Sequence, residues 1–386
     1  MISRDIENKT IELSKKFPVI GIMGPRQSGK TTLVKKLFPE KPYINLEDLT
    51  FRNIALDDPK TFIRNYPEGA VFDEIQRVPE LFSYIQLDVD NCNTSGKFIL
   101  TGSNNFLLNE KITQTLAGRI AILRLLPFSI NELKNANILE KEYENLLFRG
   151  FYPRIYDKNI DPQDWYPNYI ETYIERDVRQ IKNIANLDLF RNFVELCAAR
   201  IGQIVNYSSI GNDCGASHHT IRSWISILKQ SYIVFELPAY NKNYNKILTK
   251  MPKIYFCDPG LAVYMLRIKN GDQLKNHYLK GGIFENMVIL EVMKYFHNNG
   301  QRPNCYFWRE KNGKEIDLIV DTDNGTKIFE IKSSRTINSD YFKNLKYFQK
   351  LSNITSENSG LFYGDDNKLI TKNATIIPWN SIFDYL

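Results

Sequence analysis

No stretch of this 386-residue sequence is apolar over the ~20 residues needed to cross a bilayer, so a membrane-spanning helix is not expected. The opening MISRDIENKT carries acids and no apolar segment, which argues against a secretory signal. Cysteine is scarce. The five residues Cys92, Cys197, Cys214, Cys257 and Cys305 are scattered, odd in number and never spaced CxxC. That leaves little basis for a disulfide framework or a zinc site and points to a reduced, cytoplasmic setting. Excess charge is also modest: 50 basic against 44 acidic residues give +6, which permits a nucleic-acid partner without requiring one. One segment does lack acids altogether, PAYNKNYNKILTKMPK at 238–253. What remains is ordinary for globular domains, 43% hydrophobic and 24% charged, in a chain long enough for two or three cores.

The strongest local pattern is GPRQSGKTT, Gly24 through Pro25, Arg26, Gln27, Ser28, Gly29, Lys30 and Thr31 to Thr32. It follows the apolar run Phe17–Met23 and precedes a helix-like pattern in Leu33, Val34, Leu37 and Phe38. A glycine loop between a buried strand and a helix turns successive backbone N–H groups into one concavity, and the helix N-terminus adds partial positive charge. Phosphate oxygens fit there. Lys30 is placed to reach the β- and γ-phosphates, and the Thr31 hydroxyl to ligate Mg²⁺.

Further β–α alternation follows. YINLED (43–48), GAVFDEIQ (69–76), KFILTGS (97–103) and RIAILRLL (119–126) read as strands with helical patterns between them, predicting a parallel sheet covered on both faces. Asp73 and Glu74 end one buried strand. There, Asp73 suits the hydration shell of Mg²⁺ and Glu74 the polarisation of an attacking water. The alternative is a solvent-facing strand cap.

The order of phosphate loop, FDEIQ, ILTGSN and LAGRIAILRLLPFS resembles the AAA+ class of ATPases. More narrowly, it is similar to bacterial and archaeal AAA-family ATPases with a C-terminal domain of unknown function. The resemblance implies an α/β P-loop fold, ATP as the nucleotide, and a γ-phosphate sensor at Ser103, with Thr101 and Asn104 as alternatives. It also implies an arginine acting in trans on a neighbour's nucleotide, at Arg119, and hence a homo-oligomer; an ordinary surface arginine is the competing reading. In that class the helical stretch from Asn131 to about Ile184 forms a lid, with Arg154 or Arg176 as a second sensor. ETYIERDVRQI (171–181) also reads simply as a solvated helix of alternating charges.

Beyond the helical stretch, SSIGNDCGASHHTIRSWISILKQ (208–230) reads as two helices joined at Gly215, with Ser217 capping the second. Ile221, Trp224, Ile225 and Leu228 share one face of that helix, and His218, His219, Arg222 and Ser223 the other. With strands at 232–237 and 253–257, this predicts a winged helix. Its exposed histidines, Arg222, and the acid-free lysines Lys242, Lys246, Lys250 and Lys253 are candidates for a DNA backbone. A protein-docking module is the alternative.

The last part reads as the helix Gly281–Phe296 and three strands in 305–334, with tight turns at Asn312-Gly313 and Asn324-Gly325. Asp317 followed by Glu330-Ile331-Lys332 matches the D…ExK signature of the PD-(D/E)XK nuclease fold, with Glu285 as the added helical acid. That resemblance implies Mg²⁺ on Glu285, Asp317 and Glu330, with Lys332 acting on water; Glu315 is an alternative leading ligand.

The expected organisation is an AAA+ P-loop ATPase core over 1–130, a helical lid over 131–185, a winged helix over 186–257 and a nuclease-like α/β domain over 258–386. The expected function is Mg²⁺-dependent ATP hydrolysis directed to DNA. An ATP-gated nuclease and a nucleotide switch with a protein partner are the alternatives.

Overall fold

The computed structural model describes residues 2–92, 94–103, 115–174 (173 and 174 by backbone alone), 186–240 and 249–386. The chain divides into two compact units. The first is Met1–Phe128 with the short pieces Gln230–Tyr232 and Phe296–Gln301; the second is Ser129–Lys229, Ile233–Tyr295 and Arg302–Leu386.

The first unit is built on five parallel strands: β1 (Val19–Met23), β2 (Tyr43–Asn45), β3 (Ala70–Asp73), β4 (Phe98–Gly102) and β5 (Ile120–Arg124). They lie in the order β2-β3-β4-β1-β5. Side chains alternate across the sheet, so Val19 and Met23 join one apolar cluster with Phe72 and Phe98, while Ile20 and Ile22 join the other with Leu33, Val34 and Ile99. Both faces are covered, which is why these strands read as unbroken apolar runs. The helix Lys30–Leu37 follows β1, and Asp48 and Asp58 cap the helices Leu49–Asp57 and Pro59–Arg64 through Thr50 N and Thr61 N. Parallel pairing has one consequence for function. The carboxyl ends of β3, β4 and β1 finish side by side, with Met23 opposite Gly102.

The second unit begins with short helices: Ile130–Asn135, Tyr143–Arg149, Pro153–Asp157 and Pro162–Tyr169. Buried Asp258 ties them to later sequence. It accepts from Phe151 N (2.7 Å), Tyr166 Oη (2.6 Å) and Leu261 N (3.0 Å). Gly150 must be glycine here: φ is 71°, and a Cβ would lie 1.9 Å from Tyr166 Oη.

Next come the helix Leu187–Ala199, a bridge at Ile204 to Lys253, the helices Tyr207–Cys214 and His218–Gln230, and an antiparallel hairpin of β6 (Val234–Leu237) and β7 (Lys253–Phe256). Gly215, φ 71°, makes the turn between the paired helices. The helix Lys280–Asn298 leads to a six-stranded mixed sheet of β8 (Cys305–Arg309), β9 (Glu315–Thr322), β10 (Gly325–Lys332), β11 (Ser359–Tyr363), β12 (Leu369–Ile370) and β13 (Thr375–Pro378). β8, β9 and β10 form an antiparallel meander; the helix Lys343–Ser352 then crosses so that β11 runs parallel to β10. Among the described residues no helix is long and apolar enough to cross a membrane.

Candidate nucleotide site and a second acid cluster

At the carboxyl edge of the first sheet, the chain leaves β1 through Gly24. A Cβ there would meet Leu125 O at 2.0 Å, so the loop hugs the neighbouring strand end only with glycine in place. Gln27 (φ 59°) and Gly29 (φ 95°) then take left-handed conformations, which turn the backbone into the helix that starts at Lys30. Lys30 is buried and its ammonium donates to Gly24 O (3.1 Å) and Pro25 O (2.8 Å), spanning the loop it would serve. The exposed Thr32 lies on the helix's outer face.

The parallel register delivers Asp73 to the next residue of that helix. The Thr31 hydroxyl donates to Asp73 Oδ2 at 2.7 Å. Two further hydroxyls converge on this carboxylate: Tyr43 on the same oxygen and Thr101 on Oδ1. Burial and the adjacent Asp73 charge push the Tyr43 hydroxyl's pKa up, so it remains a donor. Asp73 is 4% exposed and does not cap the strand into solvent. Glu74 adopts a left-handed conformation (φ 58°, ψ 47°), a strained choice for a side-chain-bearing residue. That turn brings Glu74 Oε2 to Ser103 Oγ (3.0 Å) and to the amide of Gln76, which also lies 3.3 Å from Ser103 Oγ. Lys30, Thr31, Asp73, Glu74 and Ser103 therefore lie at one edge of the sheet, the first four expected from the loop motif and the strand-end acids, and Ser103 only from the family resemblance.

Hard oxygen donors, a hydroxyl and a carboxylate at hydrogen-bond distance beside a phosphate loop, fit Mg²⁺. Thr31 and Asp73 would hold it.

Arg119 lies elsewhere. It precedes β5, whose first residue pairs with Val19, so it sits at the amino edge of the sheet, opposite the loop. Its guanidinium donates to both oxygens of Asp90 and to Ala117 O (3.1 Å), and it depresses the Asp90 pKa. Asn104 and Arg176 lie outside the described residues; Arg154 is exposed in the second unit.

Sequence reasoning missed three contributors. Tyr43 and Gln76 read only as strand and strand-end residues. Arg4 had no signal at all, yet it is 8% exposed and donates to Ser28 O (2.7 Å) and Leu126 O (2.6 Å), pinning the phosphate loop's backbone from the amino-terminal segment.

In the second unit, His218, His219 and Arg222 are exposed on the helix whose other face buries Ile221, Trp224, Ile225 and Leu228; the two imidazole centroids lie 3.9 Å apart with the rings tilted at 38°. Lys250 is exposed, while Lys242 and Lys246 lie outside the described residues. Lys253 corrects the sequence reading. It is 3% exposed, bonded to Glu285 Oε1 (2.9 Å) and paired with Glu315, so it offers nothing to a phosphate backbone.

Lys253 instead belongs to the acid cluster. Antiparallel pairing of β9 and β10 sets Asp317 beside Glu330, and Lys332 bridges them at 2.9 and 2.6 Å. Asp317 Oδ2 also accepts from Ile331 N (2.8 Å), and Glu285 from Tyr255 Oη (2.5 Å). Burial raises the Glu285 pKa. It pushes Glu330 up to about 9, with help from the Asp317 charge. Burial also opposes the Asp317 charge, but Lys332 and Lys253 outweigh it and hold that pKa down. Two lysines thus stand where a cation would. Among the described residues no three His, Cys, Asp or Glu side chains are grouped to hold a metal. As arranged, the cluster does not fit Mg²⁺. A separate cavity of about 600 Å³, lined by Tyr166, Tyr264, Arg191 and Arg267 among others, contains none of the residues singled out from sequence.

A phosphate loop and paired acids on the carboxyl edge of a parallel five-stranded sheet define a P-loop nucleotide-binding fold. Residues 16–134 match the model of the AAA domain, and the chain accordingly carries an AAA-type ATP-binding domain. Residues 140–272 and 280–382 match two domains of unknown function, DUF8612 and DUF4143. An uncharacterized protein of Mycobacterium tuberculosis is 26% identical over 338 residues, covering 86% of this chain and 74% of its own. One from Haemophilus influenzae is 21% identical, covering 78% of each. Among solved structures, a Walker-type ATPase of Pyrococcus abyssi has a TM-score of 0.48 and 17% identity, covering 69% of this chain and 96% of that one.

Proposed function

We propose that this protein is a Mg²⁺-dependent ATPase whose nucleotide cycle acts on DNA through the second unit. The observation that carries the ATPase reading is the 2.7 Å bond between Thr31 and Asp73 beside the phosphate loop, with Glu74 held 3.0 Å from Ser103. Mg²⁺ bound by Thr31 and Asp73 would supply charge neutralisation on the phosphates. Lys30 leaves its two loop carbonyls for the phosphate oxygens, exchanging neutral acceptors for charged ones. Glu74 serves as the group that orients and polarises water, and Ser103 and Gln76 hold its carboxylate until a γ-phosphate competes for them. Arg119 faces away from its own loop, so its part in hydrolysis is in trans, in a homo-oligomer, after release from Asp90.

DNA direction is supported by the order helix, bridge, two helices and hairpin, which is that of a winged helix, and by the exposed His218, His219, Arg222 and Lys250. ATP hydrolysis at low salt, with and without duplex and single-stranded DNA, tests it against a Lys30→Ala control. Stimulation that disappears as salt rises is the expected result. Turnover indifferent to DNA overturns the DNA-directed part and leaves a nucleotide switch with a protein partner.

A nuclease reading has one specific support, the helix, three-strand meander, crossover helix and parallel strand that carry Asp317, Glu330 and Lys332. Plasmid left intact by Mg²⁺ or Mn²⁺ with ATP would end it.

A further inference from the structure

An ionised carboxylate offers about four lone-pair directions to donors. In Asp73, three are taken by hydroxyls: Thr31 and Tyr43 on Oδ2, Thr101 on Oδ1. Thr31 belongs to the phosphate loop's helix and Thr101 to the central strand β4. Tyr43 comes from β2, the edge strand of the sheet, where it pairs with Val71. Its ring is half-buried and lies under the Lys35 ammonium, 3.8 Å from the ring centroid, so the side chain is held from both ends. A metal-bound water beside Thr31 would meet Tyr43 as a competitor for Asp73 Oδ2, the oxygen that Thr31 also reaches.

We propose that Tyr43 is a positioning residue for the metal: its hydroxyl donates to Asp73 Oδ2 and competes there with the water of a bound Mg²⁺. The inference rests on the ATPase reading and adds a regulator to it. Tyr43 sets how tightly the metal is held, and does so from a strand that otherwise plays no part in chemistry. The same segment continues to Glu47, which pairs with Arg26 of the phosphate loop (3.7 Å) and with Arg77 just beyond Glu74 (3.3 Å). Release of Tyr43 therefore loosens one of several attachments between the nucleotide site and the chain leading into the helix Leu49–Asp57, beside the Glu47 ion pairs and the bond from Leu46 N to Asp73 O (3.0 Å).

The test is Mn²⁺ binding to the full chain in saturating ADP, read by the loss of free Mn²⁺ signal in electron paramagnetic resonance. Tyr43→Phe keeps the ring and removes the competing donor. It is expected to bind Mn²⁺ about 3- to 10-fold more tightly than wild type, the scale of one ordinary net hydrogen bond. ADP affinity in EDTA should not change. Tyr43→Leu, which removes ring and hydroxyl together, should show the same gain and serves if the first variant folds poorly. Equal or weaker Mn²⁺ binding in the folded variant overturns the proposal while leaving the ATPase reading intact. Wild type that binds neither ADP nor Mn²⁺·ADP, like Lys30→Ala, would overturn the ATPase reading itself.

Discussion

Asp73 in the first unit and Asp317 in the second are comparable carboxylates on buried strands, 4% and 8% exposed, yet they are met by opposite chemistry. Asp73 is surrounded by the hydroxyls of Thr31, Tyr43 and Thr101, Asp317 by the Lys332 ammonium and a backbone amide. Hydroxyls satisfy hydrogen bonds without cancelling charge, and they exchange readily with metal-bound water. Ammonium groups cancel the charge and leave a divalent ion little to gain. Matching acidic motifs in two units therefore do not imply matching ion chemistry. The partners decide, and the first unit has those that suit Mg²⁺.

Substitutions can break this contrast, and the largest effect is expected at the phosphate loop. Lys30→Ala should weaken nucleotide binding roughly 100-fold or more, because a buried charge is removed from a phosphate site; titration with a fluorescent nucleotide measures it. Glu74→Gln should bind nucleotide normally and hydrolyse it roughly 10²- to 10³-fold more slowly, the usual contribution of a positioned general base. Normal turnover would remove Glu74 from that role.

In the second unit the expected losses are of stability. Lys253→Met takes the buried ammonium from the half-buried Glu285, while Glu315 keeps Arg309 (3.3 Å), and should cost about 3 kcal/mol in urea unfolding. A loss below about 1 kcal/mol would mean the cluster is open to solvent and to metal after all. The gentlest perturbation is Glu330→Gln. Its pKa rises from the ordinary 4.5 to about 9 in the folded chain. Its contribution to stability is therefore complete below pH 4.5 and lost as pH climbs through 9. Wild type should weaken between pH 5 and 9 more steeply than Glu330→Gln; parallel curves would refute the raised pKa.

Much of the first unit was legible in sequence for a local reason. Strands covered on both faces must be apolar throughout, and a phosphate loop needs its glycines and Lys30 within a few consecutive residues. Asp73 and Glu74 could be paired with that loop because a parallel sheet aligns strand ends. Tyr43, Gln76 and Arg4 escaped, since nothing near them in sequence says which distant oxygen they reach. Lys253 shows the same limit in reverse. Its acid-free neighbourhood suggested a solvated lysine, whereas β7 turns it into the acids of β9 and of the helix Lys280–Asn298.

Sequence alone determined the glycine loop, the strand–helix alternation around it and the two helices joined at Gly215, all of which depend on conformational preferences and periodicities within some twenty residues. Only the tertiary structure decided what each carboxylate faces. Its partners come from segments tens of residues away, as Asp73 and Thr31 are separated by 42 positions and Lys253 and Glu285 by 32. Whether a buried acid meets a hydroxyl or an ammonium is set by packing across strands, which no local pattern encodes.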